Sequence, residues 1–293
     1  MPEVVLIIGC GYTGRRLIAP HLKRGDTVYG LVRTHESGAA VEAAGGRALI
    51  AEIGRDAAGL PAADRVYYCA PPPLSGTDDP GLATVLASLR DRPPACLVYL
   101  STTGVYGDRR GAWVTERDAP APGGDRGRRR LAAEQAVQAF GETTGCRVVI
   151  LRVAAIYGPG RLPLDRLAAG RLLPHPDDCG VSNRIHVNDL AAACLAAADR
   201  GQTGAVYNAA DGHPTSFTDY LRTLARLAGL PTPDIEPPGT PLDPGLAVFM
   251  KEQKRVDNTR LREELGVELR YPDAESGLAA SLEIPDRQST GSR

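Results

Sequence analysis

Val4 to Ile8 is an unbroken aliphatic run that meets Gly9-Cys10-Gly11-Tyr12-Thr13-Gly14 and passes straight into a stretch with Leu17, Ile18 and Leu22 on one face, closed by Gly25. Continuous aliphatic runs mark strands buried on both faces, and the spacing of the three later residues marks a helix. Few folds accept a glycine-rich turn between two such elements. Gly9 suits a tight turn, Gly11 a close approach of backbone to phosphate, and Gly14 the packing of helix on strand. Free N–H groups at the start of the helix make an anion site there. In this context the ligand that fits is the pyrophosphate of a dinucleotide, with Tyr12 and Thr13 completing the turn. Cys10 reads as a small side chain that fits the loop.

The same alternation continues. Thr27 to Val32 reads as a second strand, followed by a helix through the early forties and a strand near Ala48 to Ile53. Arg65 to Ala70 reads as a fourth strand, stopped by Pro71-Pro72-Pro73. Then come a helix over about 81–90, the strand Cys96 to Leu100, a long helix over about 127–143 and the strand Arg147 to Val153. Strands alternating with helices at this spacing predict the α/β class, a Rossmann-type, doubly wound parallel sheet with helices on both faces.

After Tyr157 the texture changes. Short helical pieces over 163–170, 189–199, 216–228 and 257–265 are joined by irregular segments, and the proline-rich stretch 231–245 reads as a loop. Residues 1–160 are therefore expected to form the dinucleotide-binding domain, with 183–213 returning to it. Residues 161–182 and 214–284 are expected to form a smaller C-terminal substrate lobe, and 285–293 a frayed tail.

Composition narrows the function. The 293 residues carry 34 basic and 35 acidic side chains, a net charge of -1. That excludes a strongly basic nucleic-acid binder and provides no long-range field for an anionic membrane. The run Arg128-Arg129-Arg130 lacks interleaved aromatics, and the chain is only 5% aromatic, so it offers no base-stacking platform. No apolar run approaches the roughly 18 to 20 residues that cross a bilayer. The N-terminus lacks the basic region of a signal peptide, so the expected location is cytoplasmic. Six scattered cysteines with no C-x-x-C pair, and no clustered histidines, argue against a disulfide framework and against a metal site. Of the 34 basic residues only Lys23, Lys251 and Lys254 are lysines. This chain uses arginine almost wherever a cation will do.

The second strand ends in Arg33, where an NAD site usually carries an acid for the ribose 2′-hydroxyl. A guanidinium there suits a 2′-phosphate, so the expected cofactor is NADP ahead of NAD. Glu52 and Ile53 are candidates for the adenine pocket. Ala70, Pro71 and Ser101, at the ends of the fourth and fifth strands, are further candidates for the cofactor wall.

Together with Ser101-Thr102-Thr103-Gly104-Val105-Tyr106-Gly107, these features resemble the extended short-chain dehydrogenases/reductases, the superfamily of NAD(P)-dependent nucleotide-sugar epimerases and dehydratases. Leu151-Arg152-Val153-Ala154-Ala155-Ile156-Tyr157-Gly158-Pro159-Gly160 is similar to its LRxxxxYGPG segment. Arg184-Ile185-His186-Val187-Asn188-Asp189 is similar to its hVdD segment, and Val206-Tyr207-Asn208 comes next in order. The resemblance covers nearly the whole chain. It implies that Thr102 hydrogen-bonds the reacting oxygen, and that a homodimer forms through the helices near 84–90 and 127–143. It also implies a tyrosine with a lysine four residues on, the first donating the proton and the second holding the nicotinamide ribose.

That pair is absent: no tyrosine in the chain is followed four residues later by lysine. Aligning the family's YGxxK-LxxE places Arg126 in the tyrosine's position and Arg130 in the lysine's. An arginine stays protonated, so it is a poor acid and no base, but two guanidinia one helical turn apart suit a carboxylate or phosphate. An atypical branch of the superfamily with an RGRWR-like segment is similar here. Tyr157 is a candidate for the cofactor wall and for the proton donor, beside bound water and the substrate itself. Thr103, Arg184 and His186 are candidates for the substrate pocket, with His186 also read as a buried residue organising the interface between lobes. Asp189 reads as the cap, or a first-turn acid, of the next helix.

The leading expectation is an NADP-dependent oxidoreductase transferring hydride with a small anionic carbonyl or hydroxyl compound. Two alternatives stand beside it: an NADP(H)-binding sensor or assembly protein with reduced catalysis, and a nucleotide-sugar epimerase or dehydratase.

Overall fold

The computed structural model describes residues 1–54, 59–74, 76, 78–242, 247 and 252–283. In chain order its elements are β1 (Val4–Ile8), α1 (Arg15–Lys23), β2 (Thr27–Val32), α2 (His35–Ala43), β3 (Arg47–Ile50), β4 (Arg65–Tyr68), α3 (Pro80–Ser88) and β5 (Cys96–Thr102). A 3-10 turn (Thr103–Tyr106) leads to β6 (Trp113–Val114), α4 (Asp125–Thr144), β7 (Arg147–Val153), β8 (Ala155–Tyr157), α5 (Leu164–Ala168) and α6 (Pro176–Cys179). Then come β9 (Val181–Ser182), β10 (Arg184–His186), α7 (Val187–Arg200), β11 (Ala205–Ala209), β12 (Thr215–Ser216), α8 (Phe217–Leu227), β13 (Arg255–Val256), α9 (Thr259–Glu263) and α10 (Ala274–Glu283).

Seven strands form one parallel sheet in the order β11-β7-β5-β4-β1-β2-β3. Strands of such a sheet are buried on both faces, and the side-chain alternation sorts them. Val5 and Ile7 of β1 join Leu17, Ile18 and Leu190 on the face covered by α1 and α7. Leu6 and Ile8 point the other way, to Leu82, Val85, Val137 and Phe140 of α3 and α4. The chain leaves β1 toward β2 on one side and β4 toward β5 on the other, so the order reverses between β1 and β4. A crevice opens past the carboxyl ends of the strands at such a reversal, and ligands bind there.

β3 ends at Ile50 and β4 at Tyr68, two to three residues before the expected ends. Each ladder runs on by one bond, Ala51 N–H to Val32 and Cys69 N–H to Ile8, before the chain turns away at Gly54 and at the three prolines. Glu52 and Ile53 therefore lie past the strand. A separate apolar cluster gathers Tyr157, Leu167, Leu173, Tyr220, Leu221, Leu224 and Leu278 beyond the sheet. The short pairs β8–β10, β9–β12 and β6–β13 stand outside the seven-stranded sheet. Residues 285–293 lie outside those described. Among the described residues, no helix is long and apolar enough to cross a membrane.

Candidate functional site

The three loop glycines divide the work between packing and access. Gly9 has φ +76°, and a Cβ on it would stand 2.6 Å from the Ala70 backbone; β4 and the loop meet there. A Cβ on Gly14 would stand 2.8 Å from Cys10 Cα and Ile7 Cγ2, so α1 could not sit down on β1. Gly11 is different: among the described residues nothing lies nearer its Cβ position than the Gly9 carbonyl at 4.0 Å. That open cradle, at the start of a helix with no acidic residue in its first turn, fits a pyrophosphate.

Around the cradle, the Tyr12 hydroxyl donates to the Pro159 carbonyl at 2.9 Å, and the guanidinia of Arg16 and Arg161 lie 4.2 and 4.0 Å from its ring. The glycine loop is thereby tied to the turn after β8. Thr13 is buried. Arg33 projects from the end of β2 as an exposed residue, directly before Thr34, whose side chain caps α2 by accepting from the Ser37 N–H. Ala70 is buried against Gly9, whereas Pro71 and Glu52 are exposed and Ile53 packs against Gly81 of α3.

At the end of β5 the Thr102 hydroxyl, half-buried, accepts from the Gly104 N–H at 3.2 Å and caps the 3-10 turn, with Thr103 buried behind it. α4 approaches this turn closely because Gly127 has no side chain: a Cβ there would lie 2.9 Å from the Gly104 carbonyl. Arg126, one residue earlier, is exposed. The Arg130 guanidinium turns back to β5 and donates to the Tyr99 hydroxyl and the Leu100 carbonyl, at 3.0 and 2.9 Å. Arg126 and Arg130 thus share a helix, the one exposed and the other held against β5.

Ser101 faces inward. Its hydroxyl donates to Glu134 of α4, which forms a buried ion pair with Arg152 of β7 at 2.8 Å. The Arg152 guanidinium lies 4.7 Å from the Tyr106 ring, and the Tyr106 hydroxyl donates to Asn208 Oδ1 at 2.7 Å. This polar chain beneath the site crosses three strands, and no local pattern in the sequence announces it.

Tyr157 is buried, and its hydroxyl donates to the Asp273 carbonyl at 3.2 Å. A Cβ on Gly277 would run into that phenol oxygen, so α10 closes over it. Burial drives the phenol far above its ordinary pKa, with Asp211 nearby adding to the shift. Both facts oppose proton transfer from Tyr157 near neutrality. The sequence gives no sign of this, because α10 lies more than a hundred residues downstream.

His186 is wholly buried and caps α7 by accepting from the Asn188 N–H; its other nitrogen meets Ser281 of α10 at 3.2 Å. Burial pushes its pKa down to about 4, helped by Arg16 and Arg270. Asp189 is the first-turn acid, and its carboxylate accepts the N–H groups of Arg270 and Tyr271. Arg184 is also buried, lying 4.1 Å from the Tyr220 ring and donating to Thr215 Oγ1 at 2.7 Å. Beside it runs an open groove of about 480 Å³ lined by Arg110, Thr215, Ser216, Asp219, Gln253 and Arg255.

Asp211 carries no motif. One carboxylate oxygen accepts from the His213 N–H at 2.9 Å, while Oδ2 is buried without a partner among the described residues. Burial pushes its pKa up to about 7, against the opposing pull of the His213 N–H and Arg184. The folded state therefore keeps a proton that the unfolded chain has lost, and stability falls as pH rises from the ordinary carboxyl range through about 7. Asp211→Asn removes this penalty. Thermal melts should show a gain of a few degrees over wild type at pH 8, at about 2–4 °C per kcal/mol, and none at pH 4. An equal difference at both pH values would show that Asp211 ionises freely.

Comparison with known proteins gives three likenesses and one family. The NAD dependent epimerase/dehydratase family matches residues 80–210. Protein YeeZ of Escherichia coli K12 is 30% identical over 281 residues, covering 92% of this chain and 96% of that protein. A ketoreductase of Stigmatella aurantiaca, acting on a farnesylated 3-oxo-dihydroquinoline oxide, is 27% identical over 76% of this chain and 72% of its own. The structure of a functionally unknown conserved protein from Silicibacter pomeroyi superposes with a TM-score of 0.86 at 35% identity, covering 96% of this chain and 98% of that one.

Proposed function

The chain belongs to the NAD-dependent epimerase/dehydratase family, and from that premise we propose that it is an NADP-linked oxidoreductase acting on a small anionic carbonyl or hydroxyl compound. The observation that carries the reading is the Gly11 cradle, open where its two neighbouring glycines are packed shut. Bound there, the dinucleotide would supply or accept the hydride.

The chain's own residues do the rest. Arg33 and the N-terminus of α2 would hold a 2′-phosphate. Arg130, anchored by Tyr99 and Leu100, presents a fixed cation at the ribose position. Thr102, at the end of β5, would hydrogen-bond the reacting oxygen. Arg126, exposed at the first turn of α4, would take the carboxylate or phosphate of the substrate. The ketoreductase likeness supports carbonyl reduction.

Calorimetric titration with NADPH and NADH, beside Arg33→Ala, tests the reading. NADPH should bind roughly 10- to 100-fold more tightly than NADH, the value of one charge-assisted contact, and Arg33→Ala should erase the difference. Consumption of NADPH with a panel of 2-oxo acids and phosphorylated ketones should then be lost in Thr102→Val. Binding of neither nucleotide would end the enzyme reading. Tight NADPH binding without turnover would leave the protein as a sensor of the cofactor.

A further inference from the structure

In a chain that spends arginine on nearly every cation, a buried lysine is a choice. Lys254 is 5% exposed. Its ammonium donates to the Gly107 carbonyl at 2.9 Å and pairs with Glu252 at 3.2 Å. Among the described residues two of its three N–H bonds are used, leaving one. Glu252 is 28% exposed at its side chain and so connects this buried group to solvent.

The contact to Gly107 ties the ammonium to the turn that follows Thr102. Gly107 closes the turn that Thr102 opens, through Gly107 N–H to Gly104 and Gly104 N–H to the Thr102 hydroxyl. Its Cβ position abuts the Ala121 carbonyl and lies 3.5 Å from the Gly123 nitrogen. Glu252 Oε1 is 3.5 Å from the Cβ position of Gly123 itself, three residues before Arg126. Lys254 therefore stands between the loop after Thr102 and the start of α4.

The segment is fixed there. The Asn183 side chain donates to the Lys254 carbonyl and accepts from the Val256 N–H, at 2.9 and 2.8 Å, and the Gln253 N–H is held by Asp108. Gln253 and Arg255 line the open groove while Lys254, between them, turns to the opposite side.

We propose that Lys254 is the proton donor and acceptor of this site, in the role that the missing tyrosine leaves vacant, with Glu252 relaying the proton to solvent. The inference rests on the hydride-transfer reading. In the reducing direction Lys254 gives its N–H proton to the substrate oxygen. The carbonyl carbon takes two electrons as hydride from the reduced nicotinamide, and the C=O π pair becomes the O–H bond. The carbonyl is reduced, the nicotinamide is oxidised, and the neutral amine regains a proton from water through Glu252. Arginine cannot cycle in this way, since it stays protonated. Burial lowers the lysine's pKa, and Arg109 across the loop lowers it further, while Glu252 and Asp108 pull it back up. The net fall moves the amine toward the range where a general acid works.

The three lysines make the test clean. In protein labelled with ¹³C-lysine, Lys254→Arg identifies the Lys254 Cε signal. It should titrate below the ordinary 10.5, and Glu252→Gln should move its midpoint lower still. Lys254→Arg keeps the cation and the contact to Gly107, so it should melt and bind NADPH as wild type does. Its kcat for carbonyl reduction should fall by roughly 10²- to 10⁴-fold, and the loss of rate at high pH expected of the wild type should vanish. A Lys254 signal that titrates with the other two lysines overturns the proposal, as does a Lys254→Arg enzyme that keeps its kcat and its pH profile. If the wild type binds NADPH and reduces nothing, it is the hydride-transfer reading that has failed.

Discussion

Glu134→Ala should lose about 3–5 kcal/mol of stability, the usual result of leaving one member of a buried ion pair alone. Glu134 and Arg152 are 2% and 5% exposed. The carboxylate takes three contacts from the guanidinium and one from the Ser101 hydroxyl. Deleting it strands a cation between α4 and β7, and Arg152 Nη1 already lacks a hydrogen-bond partner among the described residues. Against a total of about 5–15 kcal/mol for a typical domain, the variant would sit near its unfolding threshold. Urea denaturation measures the loss. Replacing both members, as Glu134→Leu with Arg152→Met, should cost much less, because no charge then remains to be desolvated. If the single variant lost under 1 kcal/mol, the pair would have to be hydrated, and the polar chain from Ser101 to Asn208 would not organise the site.

Gly11→Ala should separate binding from folding. Its backbone is not in the left-handed region, and among the described residues its Cβ would meet only the Gly9 carbonyl, at 4.0 Å. Stability should therefore stay within about 0.5 kcal/mol of wild type. NADPH affinity should fall on the order of 100-fold, or about 3 kcal/mol, because the methyl fills the space that a phosphate needs. Gly9→Ala should do the reverse: at φ +76° its methyl meets the Ala70 backbone, so the melt should drop before binding can be asked about. Calorimetry and thermal melts on the two variants read both effects. Undiminished NADPH binding by Gly11→Ala would mean that the cradle is not the phosphate site.

The parts of this protein legible in the sequence are those decided within a dozen residues. The run Val4–Ile8, the glycine loop and the helix after it depend on steric rules and on apolar spacing, and both survive in a linear string. The α/β class arises from repetition of that unit, and β2 and β7 begin and end where their aliphatic runs do. Places where the chain turns away from a ladder were less legible: β3 and β4 stop short because the residues after each of them leave the sheet.

Only the tertiary structure decided which polar groups are buried and what they meet. Tyr157 and His186 stand in family-like segments, yet α10 covers both from the far end of the chain. Ser101 turns away from the site because Glu134 and Arg152 meet it from two other elements. Asp211 and Lys254 carry no pattern at all. Their protonation depends on desolvation and on partners far away in sequence, and a string of residues records neither. The order of the sheet, with its crevice between β1 and β4, has the same origin: a strand is local, but its neighbour is chosen by how the whole chain packs.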